Sequence, residues 1–148
     1  MNLTEEGTKL KLDFTKLGRT PPLGRTPPLG RASATSTGVL PVAIQHADTG
    51  EVILVAYTNA QAFHLAMKAR RLILWSISRN ELWEKGKTSG ETFDLVEARV
   101  NCEQNALLYR VRPRRSGICH TRNRSDQPRN CFYRRICPDT LALENLDP

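Results

Sequence analysis

The chain has 148 residues, 39% of them hydrophobic and 25% charged, a balance that fits one globular domain with a single core. No apolar run approaches the roughly eighteen residues of a membrane helix, and the opening MNLTEEGTKLKLDF lacks the apolar centre of a signal peptide, so a cytoplasmic protein with no membrane partner is expected. The net charge of +7 is concentrated, since between Tyr109 and Arg135 nine arginines face a single acid, Asp126. A guanidinium binds two oxygens at once and stays charged, which points to an anionic partner. Nucleic acid, a phosphorylated small molecule and a merely solvated basic face all satisfy that condition.

In chain order, Leu17 to Arg31 repeat the hexapeptide LGRTPP, with prolines and glycines too frequent for helix or sheet. Residues 1–37 are therefore read as an extension and 38–136 as the folded domain, followed by a tail, 137–148. Leu40–Ile44 and Val52–Tyr57 flank an Asp-Thr-Gly turn and predict a hairpin. Asn59 can cap a helix from Ala60 to about Lys68, with Ala62, Phe63, Ala66 and Met67 at helical spacing. Strands are expected at Leu72–Ile77, Thr92–Cys102 and Leu107–Val111. The class is mainly β (α+β), a twisted mixed sheet with one principal helix.

Between the first two of those later strands, Ser78 to Gly90 reads as a polar loop suited to phosphate. Gly86 and Gly90 let the backbone approach an anion, while Lys85, Lys87, Thr88 and Ser89 offer donors. The Walker spacing is absent. Cys102, Cys119, Cys131 and Cys137 all fall in the last third of the chain. In a cytoplasmic protein that cluster favours metal binding or chemistry over disulfides, the alternative being small buried apolar residues. The spacing from Cys131 to Cys137 fits zinc ribbons poorly, and Cys137 is read as a bystander. A basic zinc module for nucleic acid predicts short paired ligands such as C-x2-C, which the sequence lacks, so no nucleic-acid partner is expected.

Taken together, Trp75-Ser76, Ser78-Arg79, Leu82-Trp83-Glu84-Lys85-Gly86-Lys87-Thr88-Ser89-Gly90, Cys102, Cys119-His120-Thr121 and Cys131-Phe132 resemble the phosphoribosyl-AMP cyclohydrolase family, from about Gly38 to Ile136. The resemblance implies an intertwined homodimer acting on a phosphorylated small molecule in histidine biosynthesis. It implies zinc held by Cys119 and Cys131 of one chain and Cys102 of the other. Three protein ligands leave one position of a tetrahedral zinc for water, as in catalytic sites, and water activated there would attack adenine C6 as in the zinc deaminases. His120, beside a ligand, is the expected proton-transfer group, a structural hydrogen bond being its alternative role, with His46 and His64 read as surface histidines. Arg79, Trp83, Lys85, Thr88, Ser89 and Gly90 are the expected substrate and phosphate contacts, Trp83 either stacking on a base or packing beneath the loop.

Two features depart from the family pattern. Its aspartate-cysteine-aspartate-any-aspartate run, which holds magnesium, reads Asn101-Cys102-Glu103-Gln104-Asn105 here. Magnesium prefers hard anionic oxygens, so Asn101, Glu103 and Asn105 form a degenerate site. Either the substrate's phosphates bring the ion, or arginines replace its charge, or the step that needs it is lost. The connection from Cys119 to Cys131 is also long, HTRNRSDQPRN, with Arg122 where the family has glycine; closure entropy grows slowly with length, so a metal site remains possible. A relative that keeps fold and zinc but has lost the activity or changed substrate is the competing reading. With twelve residues after Ile136, a single reaction step is expected of the chain.

Overall fold

The computed structural model describes residues 2–15, 38–86, 92–114 and 121–148. Every second side chain of β1 (Leu40–His46), namely Leu40, Val42 and Ile44, is buried, leaving Pro41 and Ala43 on the opposite face, the period-two signature of a strand. β1 pairs antiparallel with β2 (Val52–Thr58). The connecting turn places Gly50 at φ +77, a conformation that favours glycine. His46 Nδ1 accepts the backbone N–H of Asp48 at 3.1 Å inside that turn.

Asn59 has extended backbone and its side-chain oxygen accepts the Ala62 N–H at 2.9 Å, capping the helix Ala60–Ala69. Ahead of it in the chain lies a single helical turn, α1 (Leu3–Glu6), so the principal helix is α2. α2 buries Ala62, Phe63 and Ala66, and ends where Arg70 turns left-handed at φ 58. These elements follow the sequence reading closely.

The segment expected as one continuous loop from Ser78 differs. β3 (Ile73–Ser76) turns back into β4 (Glu81–Glu84), with Trp75 opposite Leu82 and Leu74 opposite Trp83. The physical reason is legible afterwards: Glu81-Leu82-Trp83-Glu84 carries strand-forming apolar residues at its centre, and Asn80 at φ 55 supplies the left-handed turn residue. The hairpin is stitched to the next strand through Leu72 N–H to Phe93 C=O at 3.1 Å and Leu95 N–H to Arg70 C=O at 2.9 Å.

β5 (Phe93–Val100) and β6 (Leu107–Pro113) complete a four-stranded sheet of order β2-β1-β6-β5. β1 and β6 run parallel while the outer pairs are antiparallel, so the sheet is mixed. Val96 sits where the β5–β6 register slips between Leu95 and Glu97, a bulge that kinks the edge strand. Beyond the sheet, β7 (Arg134–Ile136) pairs with β8 (Leu143–Asn145), so part of the expected tail is a hairpin.

The core lies between one sheet face and the layer of α2 and β3, with Leu40, Val42, Ile44, Phe63, Leu72, Leu74, Phe93 and Tyr109 at its centre. Leu12 and Phe14, from the segment that precedes the repeat, pack against this core. A Cβ at Gly38 would collide with the Phe14 carbonyl oxygen, so the two flanks of the repeat lie against each other. The repeat itself falls outside the described residues.

Candidate active site

The front of the expected phosphate-binding segment is a hydrogen-bonded hairpin. Ser76 Oγ accepts the Arg79 N–H at 3.2 Å, fixing the hairpin turn, and Arg79 projects into solvent beside Glu81 at 3.8 Å. Ion pairs so exposed contribute little, which leaves the guanidinium free to exchange partners. Trp83 packs against the core rather than standing clear of it. Lys85 is half-buried and its N–H reaches Leu72 C=O at 3.1 Å, after which Gly86 takes φ +83. Thr88, Ser89 and Gly90 lie outside the described residues, as do Cys119 and His120.

Cys102 occupies the turn between β5 and β6 with its thiol exposed. The former acidic positions around it bind one another. Asn101 Oδ1 accepts the N–H groups of Asn105 and Ala106, each at 2.9 Å. Its Nδ2 donates to Asn105 Oδ1 at 2.7 Å, and Asn105 Nδ2 donates to Glu103 Oε2 at 2.9 Å. An amide can donate and accept at once, which a carboxylate cannot, so the two asparagines close the turn without a cation.

Cys131 carries an exposed thiol at the other end of the sheet. Its N–H donates to Ile53 C=O at 3.2 Å, and the neighbouring Asn130 Nδ2 donates to Glu51 Oε1 at 2.6 Å and Val52 C=O at 2.8 Å. Cys102 lies beyond Val100 and Leu107, level with the start of β1, whereas Ile53 is level with its end. Two strand spacings also separate β2 from β6. Spacings of about 4.8 Å put the two thiols more than about 10 Å apart. Thiolates sharing a zinc at about 2.3 Å each sit roughly 4 Å apart. Among the described residues no three His, Cys, Asp or Glu side chains of one chain gather as a metal site. Both thiols are nonetheless soft, solvent-reachable donors of the kind zinc takes, on turns whose backbone is hydrogen-bonded in place.

The arginine-rich stretch is less available to phosphate than its composition implies, because strand pairing brings carboxylates to it. Arg110 meets Glu97 at 2.7 Å, Arg112 meets Asp48 at 2.7 Å, Arg114 meets Asp94 at 3.0 Å and Arg135 meets Glu144 at 2.5 Å. Hydrogen bonds from Arg99 and then Arg110 hold Glu97 below the usual carboxylate pKa, and Arg112 does the same for Asp48. Arg129 stacks 3.9 Å over the Tyr133 ring and donates to Thr121 Oγ1 at 3.1 Å. His46 Nδ1 is engaged in its turn, and His64, exposed on α2, packs edge-on to Phe63 at 5.4 Å. Gln104 and Asn130, two amides at the site's margins, carry no motif that marks them in the sequence.

The described residues form a small mixed-sheet α+β domain with exposed thiols near both ends of its sheet. The family model for phosphoribosyl-AMP cyclohydrolase matches residues 54–133. Phosphoribosyl-AMP cyclohydrolase of Caulobacter vibrioides is 48% identical over 112 residues, covering 75% of this chain and 76% of that one. The Archaeoglobus fulgidus protein of the same name is 43% identical over 104 residues, 70% of this chain and 91% of its own. A 99-residue match at 41% identity covers 67% of this chain and 44% of the histidine biosynthesis bifunctional protein HisIE of Thermus thermophilus. The chain belongs to the phosphoribosyl-AMP cyclohydrolase family. No helix among the described residues is long and apolar enough to cross a membrane.

Proposed function

We propose that the protein hydrolyses 1-(5-phosphoribosyl)-AMP in histidine biosynthesis, opening the adenine ring at its N1–C6 bond, with zinc held by Cys102, Cys119 and Cys131. The observation that carries this reading is the family match over residues 54–133, which spans all three cysteines and the segment Arg79 to Gly90. Zinc bound there would supply the Lewis acidity that makes water nucleophilic near neutral pH. Hydrolysis leaves a water oxygen on C6 as a carboxamide carbonyl, and N1 departs with a proton. His120 carries the proton to N1. Arg79 and Lys85, with Thr88, Ser89 and the Gly90 backbone, bind the two phosphates, and Trp83 packs beneath them.

The reading includes a homodimer in which Cys102 of one chain completes the site of the other. Two features support it: Cys102 and Cys131 lie at opposite ends of one sheet, and the β1–β2 half of the sheet face away from the core is apolar. On that face Val55 and Tyr57 are exposed, across from Ala43 and Pro41, with Leu108 following. Such a face suits a second copy. The proposal places no magnesium on the Cys102 turn, because Asn101, Glu103 and Asn105 bond to one another.

The test is an ultraviolet assay of zinc-loaded protein with phosphoribosyl-AMP, with and without magnesium, beside Cys119→Ala. Magnesium-independent turnover that the substitution abolishes is the expected result. No turnover under either condition, with zinc bound and the dimer intact, would move the assignment to another substrate.

A further inference from the structure

We propose that the N-terminal segment from Thr4 to Asp13 is a working part of the metal site, holding the Cys102 turn through Gln104, which acts as a positioning residue; this rests on the zinc reading above. Gln104 is only 4% exposed, although it sits in a surface turn two residues from Cys102. Its backbone is left-handed at φ 56 within the β5–β6 turn, where its N–H donates to the Asn101 carbonyl at 3.0 Å. Its side chain and carbonyl are held by one segment. Gln104 Oε1 accepts the Lys11 N–H at 2.5 Å, its Nε2 donates to the carbonyls of Thr4 at 3.1 Å and Lys9 at 3.2 Å, and its own carbonyl accepts the Asp13 N–H at 2.8 Å.

A glutamine is required by this arrangement because one side chain must accept from a backbone N–H and donate to two carbonyls at once. Glutamate would set a carboxylate against both carbonyls, and a shorter amide would not span to three residues of the strap. Within the turn, Asn101 and Asn105 close the loop on itself; Gln104 is what ties that closed loop to a second piece of chain. Strap and turn together wall a cavity of about 170 Å³ bordered by Thr8, Lys9, Val100 and Cys102, so the strap reaches the immediate neighbourhood of the thiol. Anchored in turn by Leu12 and Phe14 on the core, the strap sets where Cys102 projects.

Metal ligands bind tightly only when the groups behind them hold their geometry, and loss of such support typically weakens metal by about ten- to a hundredfold. The 148-residue protein is therefore compared as wild type, Gln104→Ala, Lys11→Pro, which removes the strap's N–H from the same contact, and Cys102→Ala. Zinc affinity is measured by chelator competition, and the thiolate-to-metal charge-transfer band is recorded after replacement with cobalt(II). Gln104→Ala and Lys11→Pro are expected to bind zinc at least about tenfold more weakly and to share an altered cobalt band, while circular dichroism shows the fold retained. Wild-type affinity and band in either variant, with Cys102→Ala deficient, would overturn the positioning role alone. Zinc binding undiminished by Cys102→Ala would overturn it together with the metal reading. If Gln104→Ala does not fold, Lys11→Pro decides the matter by the same two readouts.

Discussion

Tyr109 is wholly buried at the centre of the sheet, and its hydroxyl makes no hydrogen bond of good geometry. Burial pushes its pKa up to about 12, the nearby Thr58 hydroxyl offsetting part of that rise. A buried polar atom without a partner costs stability, and removing it restores part of the loss. Tyr109→Phe should therefore raise the midpoint of chemical denaturation, by about 1 kcal/mol or less; a loss of stability would show that the hydroxyl is satisfied in solution. Asp48 shows the opposite situation at the surface. Arg112 lowers its pKa below the usual 3.8, so the charged form is favoured by folding. Stability from this pair is present above the unfolded pKa and is lost as pH falls through the folded one. Arg112→Ala should return the Asp48 midpoint, followed by carboxyl NMR, towards 3.8. An unchanged midpoint would show the pair to be absent in solution.

At the scale of elements, α2 depends on one residue at its start. Asn59 is 4% exposed and its Oδ1 satisfies the Ala62 N–H; Asn59→Ala should cost about 1 to 2 kcal/mol in thermal or urea unfolding. A cost near zero would mean water replaces the cap despite the burial. Asn59 was visible in the sequence because capping is local chemistry and the apolar spacing follows at once. β4 was not, because glycines, lysines and hydroxyls on its C-terminal side overwhelm four residues of strand. β7 and β8 are shorter still, three residues each, and the Pro138-Asp139-Thr140 turn between them has too little strand on either side to mark a hairpin.

For the whole molecule, the sheet order brings Asp48 and Glu97 onto the arginines of β6, so a stretch that is strongly basic in sequence becomes a set of ion pairs on the surface. The β1–β2 half of the same outer face is apolar, with Val55 and Tyr57 exposed. Under the proposed dimer, Val55→Asp should lower the molar mass measured by light scattering from dimer towards monomer and weaken zinc in parallel, since Cys102 would no longer reach its partner site. A mass unchanged by the substitution would place the dimer contact elsewhere. No fold change in the isolated chain is needed for that outcome, because Val55 lies outside the core.

Local order along the chain encodes a definite part of this protein. The β1–β2 hairpin, the capped helix, the two long strands and the spaced motifs from Trp75 to Cys131 that mark the family are all written in residues near one another. Tertiary structure alone decided the rest. The parallel pairing of β1 with β6 joins residues more than sixty positions apart and sets Cys102 and Cys131 at opposite ends of one sheet. The neutralisation of the arginines and the grip of the N-terminal strap on Gln104 likewise depend on partners distant in the chain. Such contacts leave no periodic trace, because each is a single pairing chosen by the global packing rather than by its neighbours in sequence.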